Sequence, residues 1–252
     1  MLNENQKKLF RHFMSTCEDV GCSKGDLKKI LSHLAYCKAG QTTEIEDRWD
    51  VSLLKGQPDY SIYESVEYLA EAWACWSMYS RKHLLKIQKS KCLQDLKFKS
   101  VVDLGCGLGY TTASLKQIFG AEEVIGTNVG GSFQAKFVEL MAKRNGFQVN
   151  AEPSDKHPRL VFASEYFEHF ERPIEHLDHV LKKWKPDCMI IANTFTSPSA
   201  GHFRTYRLLD FHESGSSVSR IFNGYLRKAG YYRLLTHFWN NRPSVWEKRR
   251  ET

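Results

Sequence analysis

The chain has 252 residues but no run of 18 apolar ones, so it offers no candidate transmembrane helix. Its first residues, Met1-Leu2-Asn3-Glu4-Asn5-Gln6-Lys7-Lys8, lack the apolar core of a secretory signal. No C-x-x-C pair occurs among the seven cysteines, at 17, 22, 37, 75, 92, 106 and 188. An odd count without paired spacing argues against a disulfide framework or a zinc ribbon and for reduced thiols, so the expected location is cytoplasmic. Cys17, Cys22 and His12 could form a metal clip, though no fourth ligand is evident. There is no internal repeat. With 42% hydrophobic and 26% charged residues, the composition excludes a disordered chain. Lys+Arg number 36 against 29 Asp+Glu, and the resulting net charge of +7 hints at an anionic partner without identifying one.

Residues 1–95 carry few strand signals. Leu9, Phe10, Phe13 and Met14 recur at helical spacing, as do Leu27, Ile30, Leu31 and Leu34 after a predicted N-cap at Ser23. Residues 40–60 read as a loop broken by Gly56 and Pro58, followed by one long helix from Ile62 to Gln88. From Lys99 onward the pattern changes to alternating strands and helices. The predicted strands are 100–104, 123–127, 147–151, 160–163 and 188–192. The predicted helices are 111–119, 133–145, 174–184 and 218–228. A terminal hairpin is predicted from Tyr231 to Phe238 and Ser244 to Lys248 around Asn240-Asn241-Arg242-Pro243. Alternation of this kind predicts an α/β fold whose mainly parallel sheet is covered on both faces.

Asp103-Leu104-Gly105-Cys106-Gly107-Leu108-Gly109 ends a predicted strand and opens a helix. Glycines there permit positive φ and a close approach of ligand to backbone. The spacing is G-x-G-x-G, not the dinucleotide G-x-G-x-x-G, and no G-K-[ST] follows as a P-loop requires. An acid two residues before the first glycine would repel a pyrophosphate, but it can accept hydrogen bonds from an ammonium group. This combination resembles motif I of the class I S-adenosylmethionine-dependent methyltransferases. The resemblance covers roughly residues 96–250 and implies a Rossmann-like sheet with S-adenosylmethionine as cofactor. It implies cofactor contacts at Asp103, Gly105, Cys106, Gly107 and Gly109. The family's ribose-binding acid is matched by Asn128, which can hydrogen-bond but carries no charge. Glu152, Ser154 or Asp155 could fill the adenine-contacting position.

The fourth strand runs into Glu165-Tyr166-Phe167-Glu168-His169, followed by a helix and a Lys185-Pro186 turn. Two carboxylates and an imidazole within five residues can converge on one ion. Their oxygens suit Mg²⁺ or Mn²⁺, and the His tolerates Mn²⁺ or Zn²⁺. The segment is similar to the metal signature of the small-RNA 3′-terminal 2′-O-methyltransferases and the ubiquinone-pathway O-methyltransferases. That similarity implies Glu165, Glu168 and His169 as catalytic and metal-binding residues, with His202 as a downstream ligand. His169 could instead act as a general base, or the segment could merely cap the following helix. His176 and His179 read as solvated surface residues.

The resemblance also implies an N-terminal helical lid and substrate region, residues 1–95, ahead of a methyltransferase domain, 96–252. Asp59 to Tyr63, Trp73, Trp76 and Tyr79 are the lid candidates. Arg81, Lys82, Lys86, Lys89, Lys91, Lys97 and Lys99 form a basic stretch, and Lys248-Arg249-Arg250 a second cluster. Both could track phosphates or form solvated faces. No Asn/Asp-Pro-Pro-Tyr or Pro-Cys occurs, which argues against the DNA N-methylating and C5-cytosine subclasses. The expected reaction is O-methylation of a small molecule, nucleotide or nucleic acid. Transfer of another group on a nucleotide, or a catalytically inactive binding module, remain as alternatives.

Overall fold

The computed structural model describes residues 4–208, 211–238 and 242–249. The described residues contain nine strands, β1 (Ser100–Leu104), β2 (Glu123–Gly126), β3 (Gln148–Val149), β4 (Arg159–Ser164), β5 (Cys188–Ala192), β6 (Thr205–Leu208), β7 (Phe211–Ser214), β8 (Tyr231–Arg233) and β9 (Ser244–Lys248). Seven build one sheet in the order β3-β2-β1-β4-β5-β9-β8. β1 to β5 run parallel, while β9 is antiparallel to both β5 and β8. Every residue of β1, β4 and β5 is buried, as expected for strands covered on both faces. The sheet is Rossmann-like with a terminal antiparallel edge, as the resemblance implies. The Asn240-Asn241 turn of the predicted hairpin lies outside the described residues. β6 and β7 form a separate antiparallel pair that the sequence reading did not anticipate.

Alternate residues of the central strands feed two cores. Val101, Leu160, Phe162 and Ile190 join one; Val102, Val161, Ala163 and Ile191 join the other. On the first face lie α1 (Glu4–Asp19), α2 (Lys24–Ala39), α4 (Tyr68–Cys75), α5 (Arg81–Lys89), α7 (Tyr110–Phe119) and α8 (Phe133–Asn145). α3 (Glu44–Leu54), α9 (Pro173–Trp184) and α10 (Gly215–Lys228) pack on the second. The short α6 (Lys91–Gln94) leads into β1. The N-terminal helices therefore share a core with the sheet. Among the described residues, no helix is long and apolar enough to cross a membrane.

Two local expectations are corrected. Residues 40–60 are not all loop, because Thr43 and Glu46 form a reciprocal capping box that starts α3. Ile45, Trp49 and Ser52 then give that helix a buried stripe. The helix expected from Ile62 to Gln88 is divided into a 3₁₀ turn (Tyr60–Glu64), α4, a π turn (Trp76–Ser80) and α5. In the π turn the Arg81 N–H donates to Trp76 O, which inserts a residue into the helical phase and buries Trp76 and Ser80 together.

Gly109 begins α7 at φ +79, where a Cβ would come 2.9 Å from Phe147 Cζ and 3.1 Å from Val138 Cγ2. Gly109→Ala combines positive-φ strain with overpacking. It is expected to cost about 2–4 kcal/mol, read as a lower urea midpoint at unchanged m-value.

Candidate active site

The register places Leu104 of β1 beside Ala163 of β4, and Ser164 of β4 beside Ala192 of β5. The carboxyl ends of these strands therefore open together, where ligands of such sheets bind. A cavity of about 550 Å³ lies there, within the size range of small-molecule sites. Its walls bring the glycine loop together with Glu165, His169 and His202, and with Trp76 and Tyr79 from the helical segment above.

Gly105 and Gly107 adopt φ of +62 and +55. The Gly105 and Cys106 N–H groups are taken by Thr127, at 3.0 and 2.8 Å. Those of Gly107 and Leu108 donate to nothing among the described residues, and both residues line the cavity. The loop thus presents free N–H groups at the start of α7, a setting suited to an anionic ligand group. Asp103 is 2% exposed and accepts from Thr112 Oγ1 at 2.7 Å. Burial pushes its carboxyl up to about 7, against a smaller opposing effect of that hydrogen bond. Trp76 stacks on Tyr110 at 4.6 Å, and its buried Nε1 has no partner among the described residues.

Other predicted cofactor residues serve the loop itself. Cys106 lines the cavity, and its thiol also packs where a Cβ on Gly126 would come within 2.8 Å. Gly109 is used for the close packing of α7 on α8 and does not line the cavity. The Asn128 side-chain amide donates to Gly107 O at 2.9 Å, its carbonyl accepts the Val129 N–H, and its own N–H donates to Asn150 Oδ1. Asn128 thereby holds the loop's shape and does not line the cavity. None of Glu152, Ser154 and Asp155 lines it either.

At the end of β4, Glu165 takes a positive φ of +51, an unusual conformation for a side chain of its size. Glu165, Glu168 and His202 each place one potential ligand atom within 4.8 Å of the others. Thr194, just past β5, ties the carboxylates: its N–H donates to Glu168 Oε1 (2.7 Å) and its hydroxyl to Glu165 Oε1 (3.2 Å). Glu168 is fully buried, and its Oε2 has no donor among the described residues. The two carboxyl groups can satisfy each other only by sharing a proton. Burial and then Glu168's charge push Glu165 up to about 8, and burial raises Glu168 as well. His202 Nδ1 lies 2.9 Å from Ser197 O, so this nitrogen carries the proton and Nε2 keeps its lone pair.

His169, expected as a fourth ligand, stands outside this trio. Its ring lies perpendicular to that of His202 at 4.7 Å, and its Nδ1 is 3.0 Å from the Tyr63 hydroxyl. Burial holds it well below the usual imidazole range, hence neutral. Gly201 at φ +82 makes this approach possible, since a Cβ there would collide with Tyr63 Oη and His169 Nδ1. Of the lid candidates, Tyr63 reaches His169, while Trp76 and Tyr79 line the cavity. Trp73 instead stacks on Phe13 at 4.6 Å. His176 is not a solvated residue. It is half-buried, stacks on Phe170 at 3.5 Å and bonds the Tyr166 hydroxyl, whereas His179 is exposed. His12 bonds the Tyr110 hydroxyl at 2.9 Å and joins no three-ligand group with Cys17 and Cys22.

Sequence reasoning missed Thr194, and with it Ser80 and His83, which bond Ser164 Oγ at 3.2 and 3.3 Å. Thr194 carried a usable signal, because residues just past the carboxyl end of a parallel strand face the ligand side.

A methyltransferase-domain family model matches residues 77–236. No curated protein matches the sequence. Among solved structures, the chain is similar to an O-methyltransferase family protein from Burkholderia thailandensis. That match has 11% identity and a TM-score of 0.50, covering 73% of this chain and 60% of the other. It is also similar to the mitomycin 7-O-methyltransferase MmcR, with 11% identity and a TM-score of 0.53 over 88% of this chain and 67% of that one. A third likeness is to the S-adenosylmethionine-dependent methyltransferase SibL in its apo form, with 14% identity and a TM-score of 0.50 over 89% and 75%. At these identities the likeness is one of fold, and the chain spans 60% of the length of the first of them.

Proposed function

Because the chain belongs to the methyltransferase-domain family, we propose that it moves a methyl group from S-adenosylmethionine to a hydroxyl oxygen of a small molecule, nucleotide or nucleic acid. The observation that carries this reading is that Glu165, His169 and His202 line the cavity that the glycine loop opens into, with buried Glu168 within ligand reach of Glu165 and His202. The loop fits the zwitterionic end of the cofactor. Free N–H groups of Gly107 and Leu108 suit its carboxylate, ionised Asp103 its ammonium group, and the unpartnered Trp76 indole adds a donor. Residues 1–95 serve in this reading as the lid and acceptor region, and 96–252 as the catalytic domain.

The trio fits a hard divalent cation, Mg²⁺ or Mn²⁺, through two carboxylates, one with an unpartnered oxygen, and an imidazole lone pair. Bound there, the ion would supply Lewis acidity toward the acceptor hydroxyl. His169, kept neutral by burial, takes the hydroxyl proton on Nε2 while Tyr63 fixes the ring through Nδ1. The exposed Lys82, Lys89, Lys91, Lys97 and Lys99 support an acceptor that carries phosphate. Lys86 extends this surface toward the cavity by donating to the carbonyl of Arg242, whose residue lines it.

One observation favours a second reading, a binding module without catalysis: Asn128, matched to the family's ribose-binding acid, is spent on its own loop. Calorimetry with S-adenosylmethionine and S-adenosylhomocysteine separates the two, and absence of binding removes the transferase reading. With a labelled methyl donor, the product mass should rise by one methyl group, and any other increment refutes methyl transfer. Activity insensitive to chelator removes the metal while leaving the transfer. No RNA or DNA shift at low salt removes the nucleic-acid acceptor.

A further inference from the structure

Away from the Glu165 cluster, α2 and α4 bring a second and chemically different set of ligands together. His33 and Cys37 stand one turn apart on α2 and so share a face. Glu71 of α4 meets that face, with its Oε1 2.8 Å from His33 Nε2. One ligand atom from each of the three lies within 4.8 Å of the others. Thr43 Oγ1 donates to the same Oε1 at 3.1 Å, so Glu71 Oε2 takes no hydrogen bond among the described residues. Cys37 and Glu71 both line the 550 Å³ cavity, which gives an ion a route in and a position open to water.

We propose that His33, Cys37 and Glu71 form a binding site for a thiophilic divalent ion, Zn²⁺, separate from the carboxylate-rich trio. Imidazole, thiolate and carboxylate are the three ligand types of zinc, and three protein ligands beside an accessible cavity match an open tetrahedral site. Zinc bond lengths of about 2.0–2.3 Å imply ligand–ligand separations of roughly 3.5 Å. Donor atoms already within 4.8 Å thus reach them by side-chain shifts of ~1 Å. The sulfur selects the metal, since Mg²⁺ and Mn²⁺ prefer oxygen. Without an ion, burial and then the Glu71 charge push the Cys37 thiol up to about 12. Binding replaces the S–H bond by a sulfur–metal bond and releases that proton to solvent, while the neutral His33 ring moves its hydrogen from Nε2 to Nδ1, so that the His33–Glu71 hydrogen bond gives way to one metal bond from each residue. The ion would clamp α2 to α4, the helix that runs into Trp76 over the cavity.

The test uses the full chain, stripped by chelator and titrated with Co²⁺ as a spectroscopic probe for Zn²⁺. A saturable near-ultraviolet band from sulfur-to-cobalt charge transfer should appear and be displaced by Zn²⁺. Cys37→Ser should lose it, Cys75→Ser should keep it, and His33→Gln should weaken the ion at least tenfold, with circular dichroism confirming the fold of each. The Glu165 trio holds no sulfur and is silent in this band, so the outcome does not depend on methyl transfer. No band, a band that survives Cys37→Ser, or unchanged affinity in His33→Gln overturns the proposal.

Discussion

Asp103→Asn is expected to stabilise the ligand-free protein above pH 7 while weakening S-adenosylmethionine at least tenfold. The carboxyl is fully buried and pushed from 3.8 up to about 7, mainly by desolvation. A group whose folded pKa is raised favours the folded state below its unfolded pKa and loses that contribution as pH climbs through the folded value. The shift of about 3 units, at ~1.4 kcal/mol each, amounts to about 4 kcal/mol lost between pH 4 and pH 8. Asparagine carries no charge to bury and still offers Thr112 Oγ1 an acceptor. Urea unfolding at pH 5 and pH 9 checks this: the wild type should lose stability between them and the variant should lose less. The functional cost has the same origin, because an ammonium group restores the ionised form that burial disfavours. If calorimetry finds unchanged cofactor affinity in the variant, Asp103 does not hold the ammonium.

The glycine loop and the strand–helix alternation were legible because each rests on local chemistry. Acid, glycine spacing, buried strand and following helix lie within a few residues of one another. α3 was local too, and Thr43-x-x-Glu46 announced it, but Gly56 and Pro58 drew the whole segment into a loop. Site membership was less legible because proximity in the fold is not proximity in the chain. His169 follows Glu168 directly, yet the third member of the trio is His202. The backbone turns through a 3₁₀ segment (Phe167–His169), which sends the neighbouring side chains in different directions. Asn128 matched the position of a ribose ligand, but its short amide finds closer partners in Gly107 and Val129. His33 and Glu71 are 38 residues apart, and no spacing rule links them.

Glu168→Gln is expected to lower methyl transfer by about 10²–10⁴-fold while leaving the fold intact. The amide keeps an oxygen for the Thr194 N–H and removes a buried charge. Glu165, pushed up to about 8 partly by that charge, should then titrate lower. Both effects make the ion-free variant at least as stable as the wild type at pH 8–9, so a loss of activity cannot be ascribed to unfolding. The response to cation carries the sharper contrast. An ion that binds only the folded wild type at 100 times its dissociation constant adds about 2.7 kcal/mol, raising Tm by roughly 5–10 °C for a chain of this size. The gain should grow from pH 6 to pH 9 as the pair ionises, and Glu168→Gln should show little at any pH. Thermal melts with and without Mn²⁺ measure it. Equal Mn²⁺ shifts in the two proteins would remove the ion from the trio, and wild-type activity in Glu168→Gln would remove Glu168 from the reaction.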